Sequence, residues 1–292
     1  AADKQWRFHP ISLGNSQDKT AANVTGSIVS GGDIDLKIYG TLNLSALNPF
    51  APIVREAGGD VKLDLQISGQ LANPYLAGKI DLTKNIISPR IVRLPMEEAT
   101  GTIHFKGKKI SFEDISAKVE EGKVNINGSI THKNMKVVHS DLNLQAREFT
   151  FRAPDGKLRL ELDGEVTLRG NMPSPLLDGD VTIIDARYTK DFKLLDALQE
   201  SKLRAEQRAA ESEVWFNPKL NLIINNTGEF LIKNNIGNFS LLMDIETTGT
   251  RLRPKVNGTI DIVEGEVLYL GMLFDINKGF IEFRAPDSKS YL

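Results

Sequence analysis

The strongest constraint on the fold is a period-2 alternation of apolar and polar residues that recurs along most of the chain. Val61, Leu63, Leu65 and Ile67, for example, alternate with polar or charged residues. Because successive side chains on a β-strand point to opposite faces, such a segment has one apolar and one polar face. The sequence therefore predicts an all-β fold. The same alternation recurs over 142–144, 158–162, 239–245, 260–262 and 274–276.

Turn residues separate these segments. Glycine follows an acidic residue at Glu121-Gly122 and Glu264-Gly265, a composition that favours tight turns and antiparallel pairing. Two segments depart from the β pattern and predict short helices, residues 46–57 and residues 191–213. The second has apolar residues at helical spacing and either caps a sheet or forms a solvated helix.

A glycine–proline–glycine spacing occurs three times. In each copy four residues separate the first glycine from the proline, three residues separate the proline from the second glycine, and a strand pattern follows. Three copies at one spacing indicate an internal repeat. We expect equivalent turns with the prolines outside the central ladder, because proline cannot donate a ladder hydrogen bond. The prolines are Pro74, Pro175 and Pro254.

Composition excludes several classes of function. The chain has 292 residues, of which 40% are hydrophobic and 25% charged, with a net charge of -2. It contains no cysteine, so disulfides and thiolate ligands are excluded. No run approaches the roughly 18 apolar residues that a membrane-spanning helix needs. Lysine and arginine are spread along the sequence without a basic stripe, which disfavours a nucleic-acid partner.

Motifs for catalysis are missing from the sequence. The histidines His9, His104, His132 and His139 form no zinc-binding pattern, although His132 and His139 could face each other across a turn. There is no Gly-x-Ser-x-Gly elbow, phosphate-binding loop or dinucleotide fingerprint. We therefore expect a protein that is not an enzyme and uses no cofactor or metal.

Glycine-spaced hairpins resemble a known family. Residues 258–283 read GTIDIVEGEVLYLGMLFDINKGFIEF, and residues 101–128 contain similar hairpins. This order of motifs resembles the C-terminal domain of the TamB family, long called a domain of unknown function, within the AsmA-like superfamily. Members of the family carry an N-terminal membrane anchor and continue past the last hairpin. We therefore expect residues 1–292 to be a single elongated segment of a larger envelope protein.

The resemblance implies a β-taco, a long curled antiparallel sheet forming a half-pipe with an apolar concave groove and one or two short helices. It also implies the periplasm of a Gram-negative bacterium, between the inner and outer membranes. Two activities follow from it as expectations: phospholipid transport through the groove, or assembly of outer-membrane proteins with a TamA-like barrel. No catalytic residues of the family are available to carry over.

The alternating apolar residues are the candidates for the groove. Burial of each CH₂ of an acyl chain contributes about 0.8 kcal/mol without directional contacts, so a lipid groove needs only shape and apolar surface. A closed sandwich or barrel core would explain the same alternation. Two alternatives remain for the function, namely a scaffold that offers sheet edges to nascent strands and a passive structural repeat. The candidate groove residues are Leu63, Leu65, Leu144, Leu160, Leu162, Leu222, Phe239, Leu241, Ile260 and Ile262.

Overall fold

The computed structural model describes most of the chain at the level of side chains. The described residues are 5–13, 21–30, 32–45, 54–70, 73–89, 94–134, 136–153, 155–191 and 216–284. Within them no helical segment has the length and hydropathy required to cross a membrane.

The described residues form strands almost throughout, and 18 strands share one hydrogen-bonded sheet. The prediction of an all-β fold is confirmed, and a single many-stranded sheet is consistent with the predicted β-taco. The strands are β1 (Gln5–Leu13), β2 (Ala22–Val29), β3 (Asp33–Asn43), β4 (Val54–Gly58), β5 (Asp60–Gln70), β6 (Asn73–Pro89), β7 (Met96–Gly107), β8 (Lys109–Val119), β9 (Gly122–Lys133), β10 (Lys136–Arg152), β11 (Leu158–Asn171), β12 (Leu176–Tyr188), β13 (Lys219–Asn226), β14 (Phe230–Lys233), β15 (Gly237–Thr250), β16 (Arg253–Tyr269), β17 (Met272–Ile276) and β18 (Gly279–Phe283).

One strand departs from the predicted antiparallel order. β12 pairs in parallel with β13 and, further along, with β14, so the sheet is mixed. Parallel neighbours require a crossover of a dozen or more residues, and the connection from β12 to β13 is long enough to supply one. The helix predicted at 191–213 belongs to this connection, where residues 192–213 lie outside the described residues.

The helix predicted at 46–57 is wrong where the structure describes it. Residues 46–53 lie outside the described residues, whereas Val54–Gly58 forms β4 and pairs antiparallel with the end of β6. The reason is the length of β6, because pairing between β5 and β6 stops at Val61 and Leu82. β4 extends the ladder over the rest of β6, which overrides the helical propensity of a short Ala- and Glu-containing segment.

The repeated glycine–proline turns are equivalent in register. Gly69 pairs with Pro74, and Gly249 pairs with Pro254. A Cβ on Gly170 would lie 3.4 Å from the Cα of Pro175, so the third copy has the same arrangement.

The three prolines are expected outside the central ladder, and two of them lie at its margin, paired on one side only. Pro175 precedes β12, but Pro74 and Pro254 are the second residues of β6 and β16. On its other side, β6 first pairs with β7 at Leu76. Proline is therefore tolerated because it occupies the beginning of a strand, where only one neighbour is present.

The chain divides into two compact units, Ala1–Leu144 and Gln145–Leu292. In the first unit, Val61 pairs with Leu82 and Leu63 pairs with Ile80, so that four apolar side chains share one face of β5 and β6. These four residues are the buried core cluster of the unit. Partly buried residues that pack against it are Ile38, Leu42, Leu44, Leu65, Ile87, Ile103, Phe105 and Ile115.

In the second unit the sheet runs from β11 through β16 to β17 and β18. β13 and β14 lie end to end between β12 and β15. β17 and β18 likewise pair with successive parts of β16. Among the described residues of this unit, the buried apolar side chains are Ile183, Ala186 and Leu241, from β12 and β15, together with Pro175 and Pro218, which immediately precede β12 and β13.

Candidate functional site

Cross-strand register brings three of the candidate groove residues into one row of the second unit. Leu160 pairs with Ala186, and Ala186 pairs with Phe230. Phe230 pairs with Leu241, which pairs with Ile262. Directly paired residues point to the same face of a sheet. Five strands therefore contribute one continuous apolar row.

The other candidates of this unit lie on the same face in neighbouring rows. Leu162, Leu222 and Ile260 lie on one side of the row. Phe239 lies on the other side. Bulges at Glu161/Leu162 and Ser240/Leu241 shift the register without moving these residues to the opposite face. We call this surface of the second unit the apolar face, made of Leu160, Leu162, Ile183, Ala186, Leu222, Phe230, Phe239, Leu241, Ile260 and Ile262.

Burial varies across the apolar face. Ile183, Ala186 and Leu241 are buried in its middle. Leu160, Leu162, Leu222, Phe239, Ile260 and Ile262 are only half-buried. A closed core would bury its large aliphatic side chains to a few per cent exposure, so the margin of this face has apolar surface that remains accessible.

The candidates in the first unit have a different environment. Leu63 is a member of the buried core cluster, and Leu65 packs against it while staying half-buried. Leu144 is half-buried in β10. Thus the first unit encloses part of its apolar face, whereas most candidate residues of the second unit are half-open.

Sequence reasoning missed Ala186, Phe230 and Ile183, which connect the predicted members of the face. Ala186 and Ile183 fall on the same face of β12 only because Ile184 is bulged out of the register. Phe230 belongs to a four-residue strand, too short for an alternation to be recognised. The pairing of β12 with β14 is what adds it to the row.

Charged residues occupy the opposite face of the same strands. The Arg159 guanidinium lies 2.9 Å from the Asp185 carboxylate and 3.6 Å from that of Glu161. Asn221 also donates a hydrogen bond to Asp178. Exposed ion pairs contribute only about 0–1 kcal/mol, so their main consequence is a well-solvated outer face.

Two buried asparagines close breaks in the ladder. The Asn226 side chain donates to the Gly228 carbonyl at 2.7 Å and accepts from the Met243 N–H at 2.6 Å, where β13 gives way to β14. Asn85 donates to the carbonyls of Gly58 and Asp60, at 3.3 and 3.1 Å, where β4 gives way to β5. Both asparagines stand in for missing backbone partners, which buried peptide groups require.

A cleft lined in part by Phe239 has its charged side chains on the side of the sheet opposite the apolar face. It has a volume of about 450 Å³, and its lining is polar and apolar in about equal parts. Polar members of the lining include Ser240, Glu264, Glu266 and Asp275, and apolar members include Leu231 and Phe239. Ser240 pairs with Glu264, and Glu266 pairs with Asp275, which places these side chains on the opposite face of the sheet from Leu241. Among the described residues no group of three or more His, Asp or Glu is arranged to hold a metal.

Comparison with known proteins places the chain in a family. A family model described as the TamB C-terminal domain matches residues 113–289, more than half of the chain. Protein TIC236, chloroplastic, from Arabidopsis thaliana is 24% identical over 153 residues, which are 52% of this chain and 7% of that protein. The chain therefore spans a small part of the length of this relative, and no solved structure matches. The family model confirms the resemblance carried by the glycine-spaced hairpins, and the chain belongs to the TamB C-terminal domain family.

Proposed function

We propose that this chain is the periplasmic segment of a TamB-like envelope protein that binds phospholipid acyl chains and supports lipid transport between the inner and outer membranes. The observation that carries the proposal is the row Leu160, Ala186, Phe230, Leu241 and Ile262, which is apolar across five strands. Family membership supports an envelope role for it.

The dimensions of the row suit an acyl chain. Five strands at about 4.8 Å spacing extend on the order of 19 Å. One leaflet of a bilayer has a hydrocarbon layer of about 15 Å, half of the core thickness. An extended acyl chain lying across the strands would therefore find apolar side chains along its whole length.

The half-buried margin of the face supplies the driving force. Accessible side chains such as Leu160, Phe239 and Ile260 lose contact with water when a chain covers them. Each buried CH₂ contributes about 0.8 kcal/mol, and no directional contact is needed. A surface with these properties requires no catalytic residue.

Lipid analysis of the purified full chain tests the proposal. Mass spectrometry of an organic extract should find phospholipid at near-stoichiometric amounts. In the control, washing the protein with a competing detergent before extraction should remove this phospholipid. The proposed location in the periplasm of a Gram-negative bacterium needs its own test, because one relative is chloroplastic. Cell fractionation provides that test. A chain that purifies without lipid and takes up none from vesicles contradicts the proposal.

A second function is favoured by the last two strands. β17 and β18 expose large apolar side chains, among them Leu273, Phe280 and Ile281. Strand edges with exposed apolar residues readily add further strands. This supports a role as a scaffold for nascent outer-membrane strands together with a TamA-like barrel. The test is to add a synthetic barrel-strand peptide and measure whether it protects the β17 and β18 amides from hydrogen exchange.

A further inference from the structure

The turn between β16 and β17 is formed by large apolar residues. Residues 267–274 read VLYLGMLF and contain no charged side chain. We call these eight residues the hairpin tip. Leu270, at its end, is 80% exposed. The other exposed apolar side chains of the tip, each at least 45% exposed, are Leu268, Met272, Leu273 and Phe274. A contiguous exposed apolar surface of this kind marks an interaction site.

The backbone of the turn favours a polar residue at the position of Leu270. Leu270 and Gly271 both have positive φ, +51° and +78°, and a two-residue turn of this geometry prefers Asn-Gly. In two other hairpin turns the residue at positive φ is polar, Glu120 between β8 and β9 and Asn134 between β9 and β10. Leucine at position 270 is thus unfavourable for the backbone and for hydration, and such departures from local preference are typical of functional sites.

The hairpin tip extends beyond the neighbouring strand. β15 begins at Gly237, which pairs with Val267, and the backbone N–H of Leu268 donates to the Ile236 carbonyl at 2.8 Å. Among the described residues, β16 pairs only with β17 beyond Leu268. The tip therefore projects from the end of the sheet as a two-stranded hairpin.

Apolar side chains lie on both sides of the hairpin tip. Leu268 pairs with Leu273 on one side, whereas Met272 and Phe274 alternate with Leu273 and point to the other side. Leu270 lies at the end, between the two sides. A protein with one complementary surface would cover one side of such a hairpin, whereas a lipid bilayer surrounds an inserted hairpin on both sides and at its end. The distribution of side chains therefore fits a bilayer.

Charged residues at the base of the hairpin tip limit how far it can insert. Glu266 and Asp275 are paired immediately inside the tip, and both are exposed. Their carboxylates do not enter hydrocarbon without a large desolvation cost. From Val267 to Leu270 a strand rises about 10 Å, at about 3.3 Å per residue. This length matches the depth of about 5–10 Å to which apolar groups of peripheral proteins enter the boundary between headgroups and acyl chains.

One side of the hairpin tip is continuous with the apolar face. Val267 pairs with Phe274, and the next pair on the same side is Gly265 with Ile276. Gly265 also pairs with Phe239 of the apolar face, and a Cβ on Gly265 would lie 2.8 Å from the Phe239 ring. The Phe239 ring therefore lies over Gly265. An acyl chain that follows these residues meets no charged side chain between the tip and the apolar face.

We propose that the hairpin tip inserts into the interfacial region of a phospholipid bilayer, where it joins the apolar face to the membrane. The passage of lipid along the tip rests on the proposed function, whereas insertion itself requires only the exposed apolar side chains. Because the driving force is burial of apolar surface and the flanking charges are carboxylates, insertion needs no anionic headgroup.

The natural absence of cysteine permits a direct test. In Leu270→Cys the single thiol is labelled with an environment-sensitive fluorophore, and Glu121→Cys, in the exposed turn between β8 and β9, is the matched control. With phosphatidylcholine vesicles, emission from position 270 should shift to the blue and fall at least about threefold when the acyl chains carry bromine, a quencher at interfacial depth. The label at position 121 should do neither. Vesicles that also contain phosphatidylglycerol should give the same result, and added salt should not weaken it.

Unlabelled variants test whether the same side chains hold the protein on the vesicle. Leu270→Asn/Leu273→Thr removes two apolar side chains of the tip, and the fold should survive because asparagine tolerates positive φ. Cosedimentation with phosphatidylcholine vesicles should fall at least about tenfold, since the buried apolar area is lost. Ile223→Thr/Leu242→Thr removes two exposed apolar side chains from the opposite side of the sheet to the apolar face and should bind vesicles like the unmodified chain.

The outcomes separate bilayer insertion from lipid transport. A label at position 270 that stays in water, or a Leu270→Asn/Leu273→Thr variant that binds vesicles as well as its control, overturns the insertion and leaves the proposed function standing. A blue shift that appears without vesicles and grows with protein concentration also overturns it, because the tip then contacts a second copy of the chain. Insertion by a chain that carries no phospholipid and takes up none supports the membrane contact and overturns the proposed function.

Discussion

The side-chain amide of Asn226 donates a hydrogen bond to the backbone carbonyl of Leu241 at 2.9 Å. Asn226 lies on the same face as Leu222 because the two residues are four apart in β13. A buried polar residue thus fixes the position of an apolar residue at the centre of the proposed lipid surface. The hydrogen bonds of Asn226 span the break at which β13 ends and β14 begins.

Replacing Asn226 with alanine should destabilise the second unit. Three hydrogen bonds are lost, and the backbone groups of Gly228, Leu241 and Met243 keep no side-chain partner. Buried unsatisfied groups are each destabilising by about 1–3 kcal/mol, and we expect a total loss of about 3 kcal/mol after relaxation. Urea denaturation should show a lower midpoint at an unchanged slope.

Asn225→Ala is the matched control. Asn225 is the preceding residue of β13, points to the opposite face and pairs with Asp244. Its replacement should change the free energy of unfolding by less than about 0.5 kcal/mol. Equal effects of the two variants would show that the Asn226 bonds do not hold the break together.

Glycine at position 78 is required by the backbone. Its φ is +120°, and a Cβ would overlap the carbonyl oxygen of Asp64 on the neighbouring strand. Gly78→Ala should therefore destabilise the first unit by more than about 2 kcal/mol. Gly58→Ala is the control, since a Cβ there has no heavy atom within 4 Å; a thermal melt in which Gly78→Ala behaves like Gly58→Ala would contradict this account.

Much of this architecture follows from the sequence alone. Period-2 alternation determines which side chains share a face within one strand, so Leu160 and Leu162, or Ile260 and Ile262, could be grouped from the sequence alone. The spacing of the repeat likewise predicts that its three turns are equivalent. These features are local, and local geometry determines them.

The features that the sequence could not supply depend on which segments become neighbours. β4 forms because β6 is longer than β5, and nothing within Val54–Gly58 itself indicates a strand. Phe230 joins the apolar row through parallel pairing with β12. Lys109 and Lys133 approach each other because β8 pairs with β9. Each of these follows from long-range register, which alternation alone does not specify.

Histidine 132 allows a test of how strongly an unpaired buried polar side chain destabilises the first unit. Both ring nitrogens are buried without partners, so His132→Leu should raise the free energy of unfolding by about 1–3 kcal/mol in the lipid-free chain. A gain in stability would show that the imidazole is buried without a partner in solution as well. A loss of stability would show that the imidazole is satisfied in solution.

The ion pair between Glu98 and Lys118 predicts a measurable titration. Lys118 holds the pKa of Glu98 below its ordinary value of 4.5. Stability from this shift is present above the unfolded pKa of the carboxyl and is lost as pH falls through its folded pKa. In Lys118→Ala the Glu98 pKa, followed by NMR, should move upward toward 4.5, with little change in the thermal midpoint near neutral pH because both groups are exposed. An unmoved Glu98 pKa would mean that the pair does not persist in solution.

The apolar face itself is tested by placing arginine on either side of one strand. Ile260 is a half-buried member of the face, and Thr259 is the preceding residue, which points to the opposite side and pairs with Asp244 and Glu282. Both Ile260→Arg and Thr259→Arg add one positive charge to β16.

In Ile260→Arg the guanidinium can reach water at the open margin of the face, so circular dichroism should show a folded chain, whereas an arginine in a closed core would unfold it. Fluorescent lipid binding should fall at least about tenfold in Ile260→Arg, about 1.4 kcal/mol, because the charge lies where an acyl chain would pass. Thr259→Arg should bind lipid normally, since its arginine faces two carboxylates. Unfolding of Ile260→Arg would identify the face as a closed core, and a folded Ile260→Arg that binds lipid as well as Thr259→Arg would remove the acyl-chain proposal.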